Sequence, residues 1–143
     1  MRKTILCLYG PERIGKTSSI RRVDEILQSY GAKLVKVLFD ENDICMEYIF
    51  RTHKVGILSL GDPGSEQSNY LNQLANDECE VILCASRSKG ATCDAVSQVA
   101  SKYNYELYWI SPLYEYDSKH PLIVDMHEFN AEFIIKAILA AYI

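Results

Sequence analysis

The sequence predicts a three-layer α/β sandwich on a mainly parallel five-stranded sheet, with an optional antiparallel edge strand. Three observations predict it. Short apolar runs of strand length alternate with stretches of helical spacing. The first run ends in a glycine loop that leads straight into a helix. The length of 143 residues suits one domain with a sizeable core, taken as residues 1–143.

Residues 4–9, TILCLY, are almost wholly apolar, the pattern of a strand buried on both faces. From Lys16 onward Ile20, Val23, Ile26, Leu27 and Tyr30 recur at helical spacing, and Gly31 supplies a stop. KLVKVLF (33–39) forms a second strand and DEND an acidic turn. ICMEYIF (44–50) reads either as a strand that turns through RTHK onto VGILSL (55–60), adding an antiparallel edge, or as a short helix. After GDPGS the pattern gives a helix over about 66–76, strand EVILCA (80–85), a helix over about 91–102 and strand YELYWI (105–110). Residues 111–128, SPLYEYDSKHPLIVDMHE, hold two of the four prolines and no clean period, which marks a loop or lid. The last helix, about 129–143, is apolar around most of its circumference through Phe129, Phe133, Ile134, Ile138, Leu139 and Tyr142. It docks on the sheet or faces a partner, a second copy of the chain included.

The composition, 48% hydrophobic and 24% charged, is that of a soluble globular protein without a disordered tail. A net charge of −4 argues against nucleic acid as the main partner. The charge is uneven: residues 1–36 carry eight Lys/Arg against three acids, and residues 37–86 two against nine, so the basic end suits a small anionic ligand. Cys7, Cys45, Cys79, Cys84 and Cys93 are odd in number and make no CxxC pair, which supports reduced thiols. The opening apolar run is too short for a signal peptide and FIIKAILAAYI too short for a membrane span, so a cytoplasmic location without membrane contact is expected.

The segment GPERIGKT fits G-x-x-x-x-G-K-[ST] at each fixed position: Gly10, Gly15, Lys16 and Thr17. Backbone N–H groups of such a loop point inward at phosphate oxygens, and the N-terminus of the following helix adds partial positive charge. The cradle comprises Gly10, Pro11, Glu12, Arg13, Ile14, Gly15, Lys16, Thr17 and Ser18, with Lys16 reaching the β and γ phosphates and the Thr17 hydroxyl joining the shell of Mg²⁺.

With strand and helix on either side, this loop resembles that of the P-loop NTPase superfamily, its small nucleotide-kinase-like and ATPase-like members in particular. The resemblance implies the P-loop fold, a nucleoside triphosphate as ligand, and an acidic residue after an apolar strand to orient the metal. VGILSLGD supplies Asp62 for that role, although Asp before Pro-Gly is also a common turn former. An N-K-x-D guanine-reading element is missing from CASRSKGATCD, and GDPG lacks the D-x-x-G spacing, so ATP is expected over GTP. Arg87 or Lys89 supplies a cation for the transferring phosphoryl group, or lies in a solvated turn where Thr92 caps the next helix. Asp40 or Asp43 contacts an acceptor or the metal, or closes an ordinary turn. The adenine ring is expected against 111–128, with Tyr114, Tyr116 or His120 bordering it. His53, His120 and His127 lack metal-ligand spacing, and Glu66 lies four residues past Asp62, so fast hydrolysis is not implied.

The expected function is therefore an ATP- and Mg²⁺-dependent phosphotransferase acting on an unknown small-molecule acceptor through Lys16, Thr17, Asp62 and Arg87. The alternative is a slow NTPase or nucleotide-binding regulatory module that acts through a protein partner. A nucleic-acid-associated ATPase using the basic N-terminal third is the weaker option.

Overall fold

A computed structural model describes residues 2–114 and 119–142. In chain order the elements are β1 (Thr4–Tyr9), α1 (Lys16–Ser29), β2 (Lys33–Asp40), β3 (Ile44–Phe50), β4 (His53–Leu58), α2 (Gln67–Asn76), β5 (Val81–Ser86), α3 (Ala91–Tyr103), β6 (Glu106–Ile110) and α4 (Ile123–Ala141). The strands form one six-stranded sheet in the order β2-β3-β4-β5-β1-β6.

The apolar run of β1 is buried on both faces because its alternate side chains enter different cores. Leu6 and Leu8 join Ile20, Val23, Ile26 and Leu27 of α1 and Ala131, Ile134, Ile135 and Ile138 of α4. Ile5 and Cys7 join Leu71 and Leu74 of α2 and Val96 and Val99 of α3. Each fully buried aliphatic side chain of this kind contributes about 1.5–3 kcal/mol. Among the described residues all five cysteines are free, with Cys93 alone not fully buried. No helix of the described residues is long and apolar enough to cross a membrane.

The mainly parallel five-stranded sheet expected from the sequence does not form. The sheet is mixed: β4, β5, β1 and β6 pair in parallel, whereas β2 pairs antiparallel with β3 and β3 antiparallel with β4. Residues 44–50 are a strand, and β3 lies inside the sheet rather than at its edge. The edge is β2, which the alternation of strands and helices in the sequence places in a parallel sheet, and it leaves Leu34, Val35 and Val37 exposed. Two tight hairpins force this arrangement, with residues 41–43 joining β2 to β3 and two residues joining β3 to β4. Arg51 and Thr52 both adopt left-handed backbone angles (φ 52° and 68°) between paired Phe50 and His53, as a two-residue hairpin turn requires. Two register shifts in the β2–β3 ladder let the edge strand follow the twist.

The helix expected over 129–143 begins earlier, at Ile123, so the last third of the 111–128 loop is helical. Pro121 precedes it, and Ile123 N–H donates to the His120 carbonyl (3.1 Å). Its inward residues Ile123, Met126, His127, Asn130, Ala131 and Ile134 follow helical spacing, but the stripe mixes polar and apolar types. Phe129 and Phe133 stay exposed. Asn130 is buried; its Oδ1 accepts from Leu113 N–H (2.9 Å), and its Nδ2 donates to the Leu113 carbonyl (2.8 Å) and to Ser19 Oγ of α1 (3.4 Å).

Two features of the sheet carry predictions. Glu47 of β3 is 1% exposed, has no hydrogen-bond partner for either oxygen, and faces Lys54 at 3.2 Å. Burial, with the nearby Asp77 carboxylate, pushes its carboxyl up to about 7 against the opposing pull of Lys54. The folded protein therefore binds this proton more tightly than the unfolded chain, and stability falls as pH rises from the ordinary value of 4.5 through about 7. Glu47→Gln is expected to stabilise the fold above pH 7 by on the order of 1 kcal/mol, with the gain shrinking toward pH 5, in urea titrations at both pH values. At Gly61 a Cβ would stand 2.7 Å from the carbonyl of Ala85 on β5, a backbone contact that cannot swing away. Gly61→Ala is expected to lose roughly 1–3 kcal/mol in the same titrations.

Candidate functional site

Between β1 and β5 the chain leaves on opposite faces of the sheet, through α1 from one strand and α3 from the other. Such a switch point opens a crevice beyond the C-terminal strand ends, and the glycine loop lies there. Gly10 N–H donates to the Ser86 carbonyl at the end of β5 (3.2 Å). Gly15, the residue before α1, has φ 87°, a conformation that favours glycine. α1 has no side-chain cap and no acidic residue in its first turn, so its first N–H groups face the crevice without a capping oxygen.

The Lys16 side chain folds back over the loop. Its ammonium donates to the Gly10 carbonyl, to Pro11 O (3.1 Å) and to Ser86 O (2.9 Å), and so bridges the ends of β1 and β5. Burial, then the neighbouring Arg87 charge, lowers its pKa from the ordinary lysine value. Thr17 Oγ1 donates to Asp43 Oδ1 (3.0 Å), and Ser59 Oγ donates to the same oxygen (2.7 Å). Ser59 is itself fixed by Ile44 N–H (2.9 Å). The carboxylate beside the threonine thus comes from the turn between β2 and β3.

Asp62, read from the sequence as the metal-orienting acid, lies elsewhere on the rim. It follows β4, which β5 separates from β1. Its Oδ1 accepts from an Arg87 terminal nitrogen (3.2 Å), and the same nitrogen reaches Glu12 Oε2 (3.2 Å). Arg87 therefore ties the glycine loop to the segment after β4, while its Nε is buried without a partner. As partly exposed ion pairs these links contribute no more than about 1 kcal/mol each, so a competing anion can open them.

A pocket of about 660 Å³ spans this region, lined by Glu12, Arg13, Gly15, Lys16, Thr17, Ser18, Asp43, Ser59, Gly61 and Asp62, and by Ile123 and His127 of α4. Its size falls in the range of small-molecule sites. The structure brings together Lys16, Thr17, Asp43 and the loop, with Asp62 and Arg87 paired at the rim. Pro11 is exposed and contributes its carbonyl to Lys16, whereas Ile14 is buried, its side chain packed under Gly10. Asp40 is drawn off to Arg21 of α1 (3.8 Å), Lys89 is exposed, and the Glu66 carboxylate binds Asn69.

The residues considered for a base are not gathered at the pocket. Tyr114 is 42% exposed and does not line it, His120 Nδ1 accepts from Leu122 N–H (3.1 Å), and Tyr116 lies outside the described residues. His53 pairs with Glu80 (2.6 Å) at the opposite end of β4. Sequence reasoning left His127 unassigned, yet its ring stands where a Cβ on Gly15 would go. The helical stripe from Ile123 to Ile134 is the signal that would have placed it.

No family model matches the chain, and no curated protein matches it. A solved structure described as "Crystal structure of APE1195" aligns with 96% of this chain and 97% of its own length, at 13% identity and a TM-score of 0.48. A likeness of that degree carries no inference about the function of this chain.

Proposed function

We propose that the chain binds ATP with Mg²⁺ in the glycine-loop crevice and transfers a phosphoryl group to a small-molecule acceptor. The observation that supports it most is the convergence of three features on one pocket: the Lys16 ammonium, the uncapped start of α1 and the Thr17–Asp43 hydroxyl–carboxylate pair. Together they suit a polyphosphate with a hard cation better than any neutral ligand.

In this reading the phosphates displace carbonyl oxygens from Lys16, and the amides at the start of α1 hold the phosphate oxygens. The donors available for magnesium are hard oxygens, the Thr17 hydroxyl and the Asp43 carboxylate, with Asp62 once Arg87 lets go, and they fit that ion. Magnesium, when bound, neutralises charge on the β and γ oxygens. Arg87 exchanges Glu12 and Asp62 for the transferring phosphoryl group and stabilises the charge that develops there.

A second reading, a nucleotide-dependent binding module with slow turnover, draws on the exposed Trp109, Phe129 and Phe133. Apolar side chains left on the surface in this way are a feature of partner contacts.

The two readings separate in one assay of ADP release from ATP and Mg²⁺, with and without pooled nucleoside monophosphates, sugars and hydroxy acids. Transfer predicts that one pool stimulates release, that Lys16→Ala abolishes it, and that Asp43→Asn lowers kcat by roughly a hundredfold with a raised Mg²⁺ requirement. Nucleotide binding that no pool converts into turnover sinks the transferase reading for those acceptors and leaves the module. Failure of ATP to bind the folded chain sinks both.

A further inference from the structure

α4 enters the site at a fixed height. Its Glu128 forms two bonds with Arg22 of α1 (2.5 and 3.1 Å), and Asn130 holds both Ser19 of α1 and Leu113. His127, next to this clamp, therefore cannot slide along α1. Its ring is set against Gly15 at the start of α1 and forms part of the pocket wall.

The Nε2 atom of His127 is buried and has no hydrogen-bond partner. A buried imidazole nitrogen without a partner is costly, and most such groups in folded proteins are paired. Here the unpaired atom abuts Gly15 at the start of α1, on the wall of the pocket proposed to receive phosphate oxygens.

We propose that His127 is a phosphate-contact residue of the cradle, donating Nε2–H to a bound polyphosphate and taking up a proton as the ligand enters. The proposal rests on the reading of the glycine loop as a polyphosphate site. Four other charged groups around the pocket already have partners: Lys16 its carbonyls, Asp43 its two hydroxyls, and Glu12 and Asp62 the Arg87 guanidinium. On α4 itself Glu128 is taken by Arg22, Asp125 two residues before His127 is exposed, and Arg13 of the loop is exposed. Burial alone lowers the pKa of His127, which favours the neutral ring. A polyanion alongside it favours the imidazolium, whose hydrogen bond to phosphate is charge-assisted. Affinity then falls as pH rises through the pKa of the bound state.

The test is calorimetric titration of the full chain with tripolyphosphate and with Mg·ATP, in two buffers of different ionisation enthalpy, from pH 6 to 8. Lys16→Ala, His127→Gln and His127→Leu are titrated in parallel, and the His127 ring resonance is followed by NMR. The wild-type chain is expected to take up more protons per ligand than either His127 variant, with its ring pKa rising on binding. His127→Leu should bind roughly tenfold or more weakly near pH 6 and lose most of the pH dependence. His127→Gln, which keeps an N–H donor, should recover part of the affinity without the proton uptake. Tripolyphosphate and Mg·ATP giving the same proton difference assigns the contact to phosphate rather than to the base. Proton counts and affinities of His127→Leu equal to wild type, with Lys16→Ala still defective, would overturn this role alone. Absence of binding of both ligands by the folded wild-type chain overturns it together with the polyphosphate reading.

Discussion

The Lys16 ammonium, held by carbonyls from Gly10, Pro11 and Ser86, is the interaction on which the rest of the site depends. It joins the ends of two neighbouring parallel strands at the point where the chain departs to opposite faces. A buried ammonium needs such oxygens, and they in turn fix the loop, because Gly10 and Pro11 can both reach Lys16 only if the chain doubles back between them and α1. The left-handed Gly15 completes that reversal and sets the direction in which α1 starts. Once α1 is placed, Thr17 falls opposite Asp43, and Ser19 meets Asn130 of α4. The internal contacts of one lysine thus propagate to the far side of the pocket.

What the sequence made legible were features whose pattern is local. The run TILCLY, the helical spacing after Lys16 and the glycine loop each state their structure within about a dozen residues. Pairing direction is not local. KLVKVLF fits an edge or an interior strand equally well, and only the short connection 41–43 to β3, followed by the Arg51–Thr52 hairpin without an Asn-Gly signal, decides that β2 and β4 both run antiparallel to β3. The choice between Asp43 and Asp62 had the same origin. Each follows a strand at the ligand end of the sheet, and which of them meets Thr17 depends on where the start of α1 lies over the sheet, with Asp43 held by Ser59 and Asp62 drawn to Arg87. The early start of α4 was hidden for another reason: its first inward residues cover a polar loop, so the stripe contains His127 and Asn130 where an apolar pattern was sought.

The same constraint sets how the pocket treats a ligand. In the ligand-free chain the polar groups of the cradle satisfy one another, Lys16 with carbonyls, Thr17 with Asp43, and Arg87 with Glu12 and Asp62. A neutral molecule offers nothing strong enough to break these contacts, because it would leave a buried donor or carboxylate unpaired. A phosphate chain can replace several carbonyls at once around Lys16 and can take Arg87 from its two carboxylates. On the proposed reading, selectivity for polyanions would come as much from what the site must give up as from what it gains.

Glu12, Asp43 and Asp62 face Arg13, Lys16 and Arg87, three acids against three bases, so the site has no strong net field of its own. A naked triphosphate entering it would bring its charge close to Asp43 and Asp62 with only local relief from Lys16 and the start of α1. A divalent cation arriving with the phosphates removes that conflict, since it turns the two carboxylates from repulsive neighbours into donors. The acids that would weaken binding of the bare anion are the ones that favour the metal complex. On the proposed reading metal and polyphosphate would bind as one ligand, with the lysine-bridged loop receiving the complex.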